Sequence, residues 1–154
     1  MTELRPERIF AALAGERVEY VAVGGMAVIA HGVVRATVDV DIVPGPDRAN
    51  LERLATAIIG IGGQPHGEPG TEITADLMGR DANMRFDTSA GQLDLLCAPS
   101  YRRLYLDLSA RAVTVDLDGV EIVVASRNDV IRLKAGTGRD RDLLDIGDLL
   151  ALEE

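Results

Sequence analysis

The sequence predicts a mixed β-sheet flanked by helices, an α/β (α+β) fold that closes with C-terminal helices. Three observations predict it. Apolar residues recur at helical spacing in some segments and alternate with polar ones in others. Two pairs of alternating segments are joined by turn-like residues, so the sheet contains hairpins and antiparallel neighbours. No internal repeat or low-complexity stretch interrupts the pattern, and residues 1–154 are expected to form a single minimal domain.

The elements follow in order. Pro6 opens a helix that reaches about Leu13, with Gly15 as its stop, because Ile9, Ala12 and Leu13 fall at helical spacing. "EYVAV" is a short buried strand. "GMAVIAHG" is alanine-rich and forms a short helix that begins over Gly24 and Gly25. "ATVDVDIV" alternates cleanly as a strand. Residues Asp47 to Ile61 form an amphipathic helix with Leu51, Leu54, Ala55, Ile58 and Ile59 on one face. "GGQPHGEPGTEITADLMGRDANM" is dense in glycine and proline, so a long mobile loop is expected. "MRFDT" and "QLDLLCA" form a hairpin across "SAG". "SYRRLYLDLSARA" is expected as one helix, and "VTVDL" and "VEIVVA" form a second hairpin at Asp118-Gly119. Ser126 caps a helix over "RNDVIRLKA", with Asp129 three residues on, and "GTG" separates it from a last helix running to Glu154.

Composition narrows the function. With 47% apolar and 27% charged residues the chain is expected to be soluble and globular, and the scarcity of aromatics (3%) implies an aliphatic core. The single cysteine, Cys97, excludes an internal disulfide and sits among apolar neighbours, so it reads as a packing residue in a reducing cytoplasm. Arginines break up the N-terminal apolar residues, and no stretch approaches the ~18 apolar residues of a membrane span; a cytoplasmic protein is expected. A formal net charge of −9 disfavours non-specific binding to nucleic acid.

The chemistry concentrates in "GGMAVIAHGVVRATVDVDIV". Side chains alternate along a strand, so Asp39 and Asp41 share one face roughly 6 to 7 Å apart while Val38, Val40 and Ile42 take the other. Two like charges at that spacing favour a bound divalent cation, and Mg²⁺ suits one or two carboxylates completed by water and phosphate oxygens. Gly24 and Gly25 close a strand and open a helix, which lets main-chain amides approach a phosphate. The dinucleotide fingerprint and the P-loop ending are both missing.

A strand, GG, a short helix and a strand bearing D-x-D resemble the nucleotidyltransferase superfamily, the DNA polymerase β-like fold. "RATVDVD" is similar to the R-x-T-x-D-x-D of its branch of abortive-infection-type toxins and small-molecule nucleotidyltransferases, with Arg35 and Thr37 matching. The resemblance implies a nucleotidyltransferase-like fold. It also implies a third carboxylate from a neighbouring strand, for which Asp94 in "GQLDLLCAP" is the candidate and Asp87 a weaker one. "NDVIRLKAGTGRDRDLLDI" resembles the branch's C-terminal helices: Lys134, Arg139 and Asp142 match, and Arg141 stands where lysine is usual. Gly25 replaces the serine that many members use to bind phosphate.

What the resemblance implies is transfer of a nucleoside monophosphate from a nucleoside triphosphate to an acceptor hydroxyl. Asp39, Asp41 and Asp94 would be catalytic and would hold two Mg²⁺ ions, or Mn²⁺, with Asp94 as general base. Gly24, Gly25, Arg35, Thr37, Lys134 and Arg139 would bind the nucleotide. Lys134 reads equally as a solvated surface lysine, and Arg35 either contacts phosphate or pins the Asp39–Asp41 strand. His31 reads as a helix-end residue, and His66 has no assignable role. The acceptor is left open among tRNA, a protein and a small molecule, with an antitoxin or a second copy as possible partner and no membrane. The alternative is a non-catalytic binding or antitoxin module on the same fold.

Overall fold

The computed structural model describes residues 2–152. A seven-stranded mixed sheet carries the helices, in the order β3-β4-β5-β2-β1-β7-β6. Pro6 begins α1 (Pro6–Gly15), which continues through the expected stop at Gly15 to a cap at Glu16 and buries Ile9, Phe10 and Leu13. β1 (Tyr20–Val23) is buried at every position, and α2 (Gly24–Ala30) follows it with no intervening residue. β2 (Asp39–Pro44) starts three residues later than expected; Ala36 to Val38 lie in the loop before it.

Asp47 caps α3 (Arg48–Gly60) by accepting from the Asn50 amide at 2.8 Å. The expected loop beyond it is partly built. It contains β3 (Gln64–Pro65) and the one-turn α4 (Ala75–Met78), whose Thr74 cap accepts from the Leu77 amide at 3.1 Å. Ile73, Ala75, Leu77 and Met78 are buried, and α4 packs on α3, so a tertiary contact orders a helix too short for local periodicity to reveal.

β4 (Met84–Thr88) and β5 (Gly91–Leu95) form the first hairpin. The segment expected as one helix is two, α5 (Pro99–Arg102) and α6 (Tyr105–Arg111). The break at Arg103 and Leu104 lets Tyr105 and Leu108 enter the core. β6 (Val113–Leu117) and β7 (Val120–Val124) meet at Asp118 and Gly119, both with positive φ, as a two-residue I′-type turn requires. Ser126 caps α7 (Arg127–Ala135) by accepting from the Asp129 amide at 3.1 Å, and α8 (Asp140–Ala151) follows. Glu153 and Glu154, placed in the last helix from sequence, lie outside the described residues.

The core is mainly aliphatic, as expected, but Phe10 and Phe86 are both fully buried in it. Cys97 is buried, and burial pushes its thiol up from its ordinary value. β2 and β5 send Val40, Ile42, Leu93 and Leu95 into the core, which leaves Asp39, Asp41 and Asp94 half-buried on the opposite face. Among the described residues no helix is long and apolar enough to cross a membrane.

Candidate active site

Asp39 and Asp41 project together from β2, as their spacing requires. The parallel pairing of β2 with β5 then sets Asp94 directly beside Asp41. One carboxylate oxygen from each of Asp39, Asp41 and Asp94 lies within 4.8 Å of the other two. Asp87 is elsewhere: on β4, Oδ2 of its exposed side chain lies 2.9 Å from Nδ1 of His66, in the turn after β3.

The three carboxylates repel. Burial above all, then the charges of Asp39 and Asp94, pushes Asp41 up to about 7. Asp39 is also raised, by burial and then by Asp94, with Arg85 opposing. Three hard oxygen donors converging in this way fit a divalent cation such as Mg²⁺, which would relieve the repulsion.

Close approach requires glycine at position 24 and crowds position 25. Gly24 has φ +66°, and a Cβ there would fall on Oδ2 of Asp41. A Cβ on Gly25 would come within 2.7 Å of Thr37 Oγ1 and 3.2 Å of Arg35 Nη1, so the room a serine would need is already taken. Thr37 donates to the Asp39 carbonyl at 3.2 Å and thereby holds the loop to the start of β2.

Lys134 is not a solvated lysine. It is buried at the end of α7, with Nζ donating to Asp142 Oδ1 at 3.0 Å and lying 2.9 Å from Asp145 Oδ2. Arg35 does not bond to the Asp39–Asp41 strand through its guanidinium; Nη1 donates to Asp145 Oδ2 at 2.7 Å. Arg139 Nε donates to Asp142 Oδ2 at 2.7 Å. Burial works to raise Asp142, but hydrogen bonds from Thr137, Lys134 and Arg139 outweigh it and hold the carboxyl at about 2. Asp145 is fully buried; its Oδ1 accepts no hydrogen bond, although Arg141 Nη2 stands 3.3 Å away. His31 is a helix-end residue, capping α2 with Nε2 2.8 Å from the Ala125 carbonyl.

A cavity of about 440 Å³ lies over the carboxylates, lined also by both glycines, Arg35, Lys134, Arg139 and Arg141. A smaller one, about 160 Å³, shares Asp41 and Lys134 and is walled by Leu96, Tyr101, Val130 and Leu133. The arrangement sets positive charge against a carboxylate trio, as a phosphate ester carried with a cation requires.

Sequence reasoning missed Arg85 and Asp145. Arg85 alternates with Phe86 on β4, so its outward direction was legible, but not its position opposite Asp94. Asp145 follows Asp142 at i+3, a spacing that marks a shared helix face but does not say what that face meets.

Comparison with known proteins agrees with this geometry. Residues 9–152 match the family described as nucleotidyltransferase of unknown function (DUF6036). No curated protein matches the sequence. Solved structures with the same fold include a lincosamide antibiotic adenylyltransferase, LnuA, with lincomycin bound (TM-score 0.64, 17% identity, 96% of this chain and 98% of that one). The antibiotic-resistance factor ANT(2″)-Ia is similar (TM-score 0.63, 14% identity, 96% and 81%), and it has also been solved with adenylyl-2″-tobramycin. So is a Thermotoga maritima protein described as a nucleotidyltransferase (TM-score 0.59, 15% identity, 97% and 96%).

Proposed function

This chain belongs to the nucleotidyltransferase family matched over residues 9–152, and from that membership we propose that it transfers a nucleoside monophosphate from a nucleoside triphosphate to a hydroxyl of a small molecule. The observation that carries the reading is the convergence of Asp39, Asp41 and Asp94 beside the Gly24–Gly25 backbone.

Asp39 and Asp41, with Asp94, would hold Mg²⁺ or Mn²⁺, which when bound would neutralise charge on the phosphate oxygens. Asp94 takes the proton of the acceptor hydroxyl as that oxygen attacks the α-phosphorus and pyrophosphate leaves. Gly24 and Gly25 present main chain to the triphosphate. Lys134, Arg139 and Arg35 balance its charge, and Thr37 keeps the adjoining loop in place.

A small acceptor is favoured for two reasons. The similar structures named above hold lincomycin or adenylylated tobramycin, and a net charge of −9 opposes a polyanionic acceptor. The test is incubation with Mg²⁺ and an α-³²P-labelled nucleoside triphosphate, against a panel of hydroxylated small molecules and against total tRNA. Labelling of a small molecule by the wild type and none by Asp41→Asn is expected. Labelling of tRNA alone would overturn the acceptor, and no labelling together with no nucleotide binding would overturn the reaction.

A further inference from the structure

Arg85 already does part of what a cation would do at this site. Its guanidinium forks onto Asp94, Nε donating to Oδ1 at 2.8 Å and Nη2 to Oδ2 at 3.1 Å. The same Nη2 lies 3.8 Å from Asp39 Oδ2. Both oxygens of Asp94 are therefore engaged, and one positive charge bridges two of the three carboxylates.

The contact is built by the sheet, because the β4–β5 register sets Arg85 directly opposite Asp94. Forked arginine–carboxylate pairs are also among the stronger charge-assisted contacts. Yet Arg85 is not locked in. Its side chain is 45% exposed, and it lines both the large cavity and an adjoining groove of about 400 Å³ that includes His66, Asn83 and Met84. The groove, which Asp94 and Leu96 also line, gives the exposed guanidinium open space beside the carboxylate.

We propose that Arg85 is the resting counter-cation of Asp94. It stands where a second divalent ion would bind, leaves one such ion to Asp39 and Asp41, and opens Asp94 to another only on swinging into the groove. The physical reason is direct: a divalent ion on Asp94 would share the carboxylate with a guanidinium a few ångströms away, and like charges that close repel strongly in a partly desolvated site. Arg85 acts through Asp94 and is a positioning residue. The inference rests on the reading of the carboxylate trio as a metal site.

The test is titration of the full chain with Mn²⁺ alone, without nucleotide, followed by the electron paramagnetic resonance of free Mn²⁺ and by calorimetry. The wild type is expected to bind one ion. Arg85→Gln is expected to bind a second, or to bind the first at least tenfold more tightly, and the gain is expected to vanish in Arg85→Gln/Asp94→Asn. Arg85→Lys, which keeps the charge without the fork, is expected to fall between wild type and Arg85→Gln. A folded Arg85→Gln with wild-type number and affinity overturns the proposal. If that variant does not fold, Arg85→Lys decides, and wild-type binding there overturns it. Two ions in the wild type overturn the role of Arg85 while the metal site stands. No Mn²⁺ bound by any of the proteins overturns both.

Discussion

The backbone of Gly24 faces the carboxylate of Asp41 so closely that a methyl group on Gly24 would sit on Oδ2, 3.0 Å from Cγ and 3.2 Å from Cβ. Asp41 can keep its place beside Asp94 only because residue 24 has no side chain.

Gly24→Ala is therefore expected to lose on two counts. The left-handed φ of +66° costs a residue with a Cβ roughly 1–2 kcal/mol, and the carboxylate must move as well. A fall in stability of about 2 kcal/mol or more should appear in urea denaturation. The transfer rate should fall at least a hundredfold, because the displaced group is one of the proposed metal ligands.

Asp41→Asn should separate stability from activity. Raised to about 7 by burial and by its two carboxylate neighbours, Asp41 binds a proton more tightly in the folded than in the unfolded protein. In EDTA its contribution to stability therefore falls as pH rises from about 4 to about 7. Removing the charge should raise stability at pH 8 by roughly 1–3 kcal/mol and abolish transfer. Thermal melts with EDTA and with Mg²⁺ check both halves: the wild type should be stabilised by Mg²⁺ and the variant should not.

Asp142 has the opposite sign. Its carboxyl is held at about 2, below its unfolded value near 3.9. Its stabilising contribution is present above pH 4 and is lost as pH falls toward 2. The shift corresponds to roughly 2 kcal/mol, so Asp142→Asn should be destabilised by about that much at pH 7. Its urea midpoint should also change less than that of the wild type between pH 4 and pH 2.

Lys134→Met should cost more than loss of an exposed ion pair. Asp142 and Asp145 are both buried and share the ammonium, and removing one partner of a buried pair typically costs about 3–5 kcal/mol. Equilibrium unfolding measures this. Among variants that remain folded, nucleotide affinity should fall with Lys134→Met and hold with Ser126→Ala, which removes only the α7 cap, about 1 kcal/mol.

Local patterns in the sequence carried far where the physics is local. Alternation alone places Asp39 and Asp41 on one face, Asp47 and Ser126 announce the starts of α3 and α7 through their own hydrogen bonds, and Asp118-Gly119 specifies a hairpin. The glycine pair and D-x-D together pointed to the family. The loop after α3 and the helix before β6 depart from their sequence patterns: α4 is ordered by packing on α3, and the break at Arg103 and Leu104 that divides α5 from α6 is not marked by periodicity.

By itself, then, the sequence determined which residue types share a strand face, where capped helices begin, and that a glycine pair and a carboxylate pair sit on adjacent segments. Only the tertiary structure decided that Asp94 stands beside Asp41, that Arg85 clasps Asp94, and that Lys134 is buried between Asp142 and Asp145. The reason is register. A strand's alternation is dictated by its own backbone, whereas which residue of a neighbouring strand lies opposite is chosen by the whole core, from contacts between segments far apart in the chain.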